Sequence, residues 1–211
     1  MNFPQLRMTR RGFLRASVAI SAPLALTWIA GRGFPRIADL AQAQTLALTP
    51  ECADAGDLTP QQTEGPYFTR NSPETASLLE VGMGGTRLSV SGTVLSASCQ
   101  PISGALLDFW QADDQGQYDN VGYRLRGHQF TDAEGRYSLE TIVPGLYPGR
   151  TRHIHVKAQA PGARVLTTQL YFAGEPGNQR DGIFRPELAM SLEDTESAGK
   201  SAQFNFVVTT A

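Results

Sequence analysis

Cysteine is almost missing from this chain. Cys52 and Cys99 are the only two, which rules out a disulfide-dense scaffold and a four-cysteine zinc site. Neither has a histidine close by in sequence to complete a mixed site. No apolar run reaches the ~20 residues that span a bilayer; the stretch from Ala16 to Ala30 is short and broken by Pro23. Positive charge is not in surplus either, with 18 Lys and Arg against 20 Asp and Glu. That balance argues against nucleic acid or an anionic membrane as partner. Long amphipathic helical periods, internal repeats and low-complexity tracts are also missing.

Charge is unevenly distributed, and the N-terminus holds most of the asymmetry. Met8-Thr-Arg10-Arg11-Gly-Phe13-Leu14-Arg15 has the form of a twin-arginine export motif, and Ala41-Gln-Ala43 has the small-x-small form of a signal-peptidase site. The sequence thus predicts a signal peptide over residues 1–43 and a mature domain over 44–211, with 44–85 as an N-terminal arm. No stable membrane span remains after cleavage. Losing the segment's six arginines and one acid takes the formal net charge from −2 to −7. A periplasmic or extracellular location follows, and in that oxidising setting the Cys52 and Cys99 pair invites a disulfide.

The mature part reads as all-β. Leu88-Ser-Val90-Ser alternates, Ala105 to Trp110 is a buried run, Arg136-Tyr-Ser-Leu-Glu140 alternates, and Gln203 to Thr209 closes the chain as a strand. Turn signals at Ser98–Gly104, Asp113–Gly116, Asp132–Gly135, Pro161-Gly162 and Pro176-Gly-Asn178 separate them, and the one at Asp132–Gly135 predicts a hairpin. A short helix is expected over Pro186–Met190. Short strands at this spacing predict a single β-sandwich domain with long loops.

Two of the three histidines stand in Arg150-Thr-Arg152-His153-Ile-His155. On a strand, residues i and i+2 share a face, so both imidazoles can reach one ion while Ile154 and Val156 enter the core. Tyr147 lies just upstream in Pro144-Gly-Leu-Tyr147-Pro-Gly, and Tyr118 in Gly116-Gln-Tyr118. A competing site would join the two histidines to a carboxylate from Asp108, Asp113 or Asp119, as ferrous oxygenases do. His128 reads as a surface or rim residue.

Trp110-Gln-Ala-Asp113, Gly116-Gln-Tyr118, Thr131-Asp-x-x-Gly135-x-Tyr137, Pro144-Gly-x-Tyr147, Arg150-x-x-His153-Ile-His155 and Thr168-Gln-x-Tyr-Phe172, in this order, resemble the intradiol ring-cleavage dioxygenases, nearest their protocatechuate 3,4-dioxygenase branch. Gln62-Thr-Glu-Gly-Pro-Tyr67-Phe68 fits the same family's N-terminal arm, so the likeness runs from about Thr59 to Phe172. The resemblance implies a non-haem Fe(III) held by Tyr118, Tyr147, His153 and His155. Two phenolates suit a hard ferric ion better than a ferrous one. It also implies that a small aromatic diol displaces Tyr147, that O₂ opens the ring to a cis,cis-muconate-type diacid, and that Arg150 and Gln169 assist catalysis. Tyr67 and Phe68 would wall the substrate pocket, and Arg152 would meet a substrate carboxylate or solvent. Arg124 and Arg126, if they line the pocket with Arg152, would favour a carboxylated ring. The helical N-terminal extension of the catechol 1,2-dioxygenase branch is not seen, so a homo-oligomer would form by other surfaces. A different class stays open: Gly92-Thr-Val, Gly104-Ala and Thr131-Asp-x-x-Gly-x-Tyr-x-Leu139 also resemble transthyretin-like and carboxypeptidase-regulatory-like binding modules, which have no catalysis.

Overall fold

The structure, a computed structural model, describes residues 57–196 and 199–211. The predicted signal peptide and Cys52 lie outside these residues. Nine strands form: β1 (Arg87–Ser96), β2 (Leu106–Trp110), β3 (Arg126–Phe130), β4 (Arg136–Ile142), β5 (His153–Gln159), β6 (Leu166–Phe172), β7 (Ala189–Asp194), β8 (Lys200–Gln203) and β9 (Phe206–Val208). Among the described residues no helix is long and apolar enough to cross a membrane.

The strands make two layers. One has the order β3-β2-β5-β6, all antiparallel; in the other β8, β1 and β4 are neighbours and β9 continues beside β1. β7 joins them, running parallel to β6 at Tyr171↔Ala189 and Phe172↔Met190 and then antiparallel to β8. Period-two alternation sends Leu107, Phe109, Ile154, Val156 and Leu170 of the first layer inward against Leu88, Val90, Val94 and Leu139 of the second, all buried. Phe109 and Tyr137 meet across the interior at a ring separation of 5.9 Å. The expected β-sandwich is what the chain builds.

Three local expectations are corrected. The Asp132–Gly135 turn does not close a hairpin: β3 pairs with β2 and β4 with β1, so the turn carries the chain from one layer to the other. The C-terminal run breaks in two at Phe204 and Asn205, where Phe204 O would lie 1.8 Å from a Cβ at Gly92, an approach that only a glycine in β1 admits. Pro186–Leu188 is a single 3-10 turn, and Ala189 and Met190 already belong to β7.

The outer face of the first layer positions the site. Directly opposed residues on antiparallel strands share a face, so the register sets Arg126, Trp110, His155 and Gln169 in one row across β3, β2, β5 and β6. His153 and Tyr171 form the row above; His128, Asp108, Lys157 and Thr167 form the row below. So polar an outer face would be solvated were it not for the arm. Residues 62–75 cross it: Gln62 N donates to Thr167 O at 2.9 Å, Ser72 Oγ to Asp108 at 2.8 Å, and Thr75 N to His128 O at 2.8 Å. Lys157 pairs with Glu64 and stands 4.5 Å above the Phe68 ring.

Candidate metal centre

Two loops and one strand deliver the four expected ligands. The loop after β2 is folded by Asp113, whose Oδ1 accepts the amides of Gln115 and Gln117, both at 2.9 Å. After Tyr118, the Asp119 carboxylate accepts the amides of Gly122, Val121 and Arg124, which hold its pKa down to about 2. Tyr147 opens a tight turn, Tyr147-Pro-Gly-Arg150, closed by Arg150 N donating to Tyr147 O at 2.9 Å. Pro148 at the second position and Gly149 with φ +80 at the third are the type II signature.

The two loops seat against each other through glycines. Gly145 N donates to Asp113 O at 2.6 Å, and a Cβ on Gly145 would lie 2.3 Å from Gly116 N. A Cβ on Gly116 would lie 2.1 Å from Leu146 O. This contact is what brings the Tyr118 and Tyr147 rings to 6.0 Å in an edge-to-face pair. Gly145→Ala is expected to push the loops apart, destabilise the fold by about 2–3 kcal/mol and weaken metal uptake, read from denaturant unfolding and metal stoichiometry. Unfolding at the wild-type denaturant midpoint would refute the seat.

The donor atoms converge. Tyr118 Oη is 3.3 Å from His153 Nε2, which is 3.2 Å from His155 Nε2. His153 Nδ1 is 2.7 Å from Thr151 O, so by geometry Nδ1 carries the hydrogen and Nε2 offers its lone pair to the cluster. The His155 ring is fixed by stacking on Trp110 at 4.8 Å and 8°, and its buried Nδ1 meets no protein partner among the described residues. Donors around an ion with bonds of ~2.1 Å lie roughly ~3 Å apart, which is the spacing seen.

The protonation states leave imidazole lone pairs free for a cation. Burial lowers the His153 pKa to about 4 and His155 well below the usual value, the latter helped by the His153, Arg150 and Arg126 charges, so both imidazoles are neutral ligands at pH 7. Burial raises the Tyr118 phenol although Arg150 and Arg126 pull the other way. That phenol ionises only where a strong positive charge replaces the proton. Tyr67 stacks on Tyr118 at 4.4 Å and 19°, and its hydroxyl is 3.0 Å from Tyr147 Oη. Phe68 packs on Trp110 at 4.8 Å.

Arg150 faces this cluster from a hydrogen-bonded net. Its Nη2 donates to Gln169 Oε1 at 2.6 Å and its Nε to Asp181 Oδ2 at 2.9 Å, while Gln169 Nε2 donates to Thr63 O of the arm at 2.8 Å. The other arginines behave differently. Arg152 is bound to Glu175 at 3.0 Å and to Pro144 O. Arg152 lies just before β5, and His153, the first residue of the strand, is the one turned to the cluster. Arg126 is buried and grips Asp119 O through Nε and Nη2 at 3.1 and 2.7 Å. Arg124, with ion-pair distances of 3.6 Å to Asp113 and 3.8 Å to Glu80, alone stands at a polar cavity of about 370 Å³ that Tyr118 also lines.

The competing carboxylate site is not assembled. Asp108 is bonded to Ser72, Asp113 and Asp119 accept loop amides, and no group of three or more His, Cys, Asp or Glu side chains gathers among the described residues. His128 lies in the row below, half-buried under the arm, with Nδ1 2.8 Å from Ser72 O. Sequence reasoning missed Asp181, Asn178 and Thr151. They sit in or against an irregular loop, and no pattern in the sequence marks the two ends as touching.

A β-sandwich whose outer sheet face gathers two tyrosines and two neutral histidines under an N-terminal arm is a class apart from simple binding modules, which require no such cluster. The chain belongs to the intradiol ring-cleavage dioxygenase family: the dioxygenase family model matches residues 63–210. Hydroxyquinol 1,2-dioxygenase from Nocardioides simplex is 30% identical over 179 residues, covering 72% of this chain and 60% of that protein. The solved dioxygenase domain of a dioxygenase carbohydrate-binding protein fusion from Streptomyces sp. SirexAA-E is 56% identical, with a TM-score of 0.71 over 74% of this chain and 100% of that one. For 3-chlorocatechol 1,2-dioxygenase from Rhodococcus opacus 1CP the values are 28%, 0.68, 72% and 73%. The chain thus spans about three fifths of the hydroxyquinol enzyme's length, and the two 1,2-dioxygenases are named for hydroxyquinol and chlorocatechol rather than protocatechuate.

Proposed function

We propose that this protein cleaves the ring of a catechol between its two hydroxylated carbons, using O₂ and a non-haem Fe(III) held by Tyr118, Tyr147, His153 and His155, to give a cis,cis-muconate-type diacid. The observation that carries the reading is the convergence of Tyr118 Oη and the two histidine Nε2 atoms within 3.2–3.3 Å beside Tyr147. When bound, a ferric ion would act as a Lewis acid that lets a catechol lose both hydroxyl protons, and by drawing charge from the ring it would open a ring carbon to O₂.

The chain's own groups supply the rest. The two imidazoles are buried and Tyr118 is half-buried; Tyr147, also half-buried, opens a turn whose next two residues are exposed, and its hydroxyl lies next to that of Tyr67. When Tyr147 gives way to substrate, Tyr67 is there to hold its oxygen by a hydrogen bond. The Tyr67 ring lies over Tyr118 and offers an aromatic wall to the substrate ring, with Phe68 next to it on Trp110. Arg150, held by Asp181 and Gln169, presents a fixed positive charge to the negative charge that develops on the ring carbon.

The preferred ring is an uncharged catechol. Arg152 and Arg126 are engaged elsewhere, and the named relatives support the same choice. Export by the twin-arginine route and a Cys52–Cys99 disulfide belong to the same proposal and rest on the sequence. The protein purified with iron is expected to be burgundy from phenolate-to-Fe(III) charge transfer. Ring opening, followed by absorbance, is expected for catechol, hydroxyquinol and chlorocatechols at rates at least equal to protocatechuate. A colourless protein that binds no iron, or a coloured one that opens none of these rings, would overturn the reading.

A further inference from the structure

We infer that Asp181 is a positioning residue that aims the Arg150 guanidinium at the substrate. The inference rests on the proposed role of Arg150 and extends it. Asp181 touches none of the four donor side chains, yet its side chain is only 2% exposed, so it is no casual surface acid. Its Oδ2 accepts from Arg150 Nε and from Thr151 N, both at 2.9 Å, and its Oδ1 accepts from Ile183 N at 3.1 Å. One carboxylate therefore grips the side chain of residue 150 and the backbone of residue 151. The angle between them is fixed.

The far end of the guanidinium is held as firmly. Nη2 donates to Gln169 Oε1 at 2.6 Å and lies 3.4 Å from Tyr171 Oη; Tyr171 Oη also donates to Gln169 Oε1 at 3.0 Å. With Nε and Nη2 engaged on two sides, the planar fork has no rotational freedom, and its Nη1 donors meet no protein acceptor among the described residues. They are the part of the group left to meet a ligand. The loop bearing Asp181 is itself anchored: Thr151 Oγ1 donates to Asn178 Oδ1 at 2.8 Å, and Asn178 Nδ2 donates to Phe172 O at 2.9 Å at the end of β6. Burial works against an ionised Asp181, but the two amides and Arg150 outweigh it and keep the carboxylate charged.

An arginine displaced by a fraction of an ångström still binds iron-bound substrate but no longer meets the charge that develops later. The test compares iron-loaded wild type, Asp181→Asn, Asp181→Glu, Arg150→Ala and the double variant Asp181→Asn/Arg150→Ala. Asparagine keeps the volume and one acceptor, glutamate keeps the charge but moves it, and whichever folds reads the prediction. Turnover of the Asp181 variants is expected to fall about ten- to a hundredfold, with KM, iron content and the charge-transfer band unchanged. Anaerobic titration with an unreactive nitrated catechol is expected to give an affinity within about twofold of wild type, since the aim of Arg150 matters after binding. In the Arg150→Ala background Asp181→Asn is expected to add no further loss, as for residues acting through one another. Full turnover in the Asp181 variants, loss of iron, or an equal loss in both backgrounds would overturn the inference while leaving the function standing. Wild-type turnover in Arg150→Ala would instead remove the role of Arg150 on which it rests.

Discussion

Replacing His155 with alanine is expected to yield a folded, colourless protein without iron, and His153→Ala the same. Each loses one of two neutral imidazoles whose Nε2 atoms stand 3.2 Å apart, and the one imidazole left with two protonated phenols is not expected to hold the ion at neutral pH. The proton balance gives a second readout. Because burial depresses both histidines, His153 to about 4, they carry no proton to be displaced near neutrality. Tyr118 is pushed the other way and does carry one. Iron uptake by wild type must therefore release protons, so affinity rises with pH through the neutral range instead of levelling off above a histidine pKa. Full iron occupancy in His155→Ala with unchanged turnover would end the assignment of the cluster.

Arg150→Ala is expected to lower turnover by about 10²- to 10³-fold, and Arg152→Ala to leave it within a few-fold. The two residues flank Thr151 and are chemically identical, so the contrast isolates direction. Arg150 Nη2 reaches Gln169 beside His155, whereas Arg152 is tied to Glu175 and the Pro144 carbonyl on the other side of the chain. Loss of Arg152 would loosen the 144–147 loop and show as a lower melting temperature. A larger turnover defect in Arg152→Ala than in Arg150→Ala would reverse the assignment.

The sandwich is legible in the strand and turn pattern, and the order of the motifs, through the family resemblance, names the two tyrosines and two histidines that the fold brings together. A His-x-His on an alternating strand fixes which face the imidazoles take, and Tyr-Pro-Gly-Arg is a type II turn wherever it occurs. Contacts that depend on another part of the chain were not legible. The sequence near Arg152 does not show its partner Glu175, 23 residues on, and Asp181 carries no signal because its partners are 30 and 31 residues away across an irregular loop. The Asp132–Gly135 turn was recognised as a turn, but a turn's residues do not say whether the strands it joins pair with each other or with others. In the same way, Gly116 and Gly145 stood out as motif glycines, and only their mutual contact explains why both are needed.

The arm's route across the sheet has a consequence for the order in which the molecule matures. Thr63 and Gln169, which close one side of the centre, are separated by 106 residues, and Thr59 and Val207, which tie the arm to the final strand, by 148. Contacts of such long range form late, after the strands between them have paired. The centre therefore reaches its finished shape only when the residues from 59 to 207 have been synthesised and folded together. An ion bound there would then mark completion: a chain able to hold it would already have joined Thr59 to the strand at Val207.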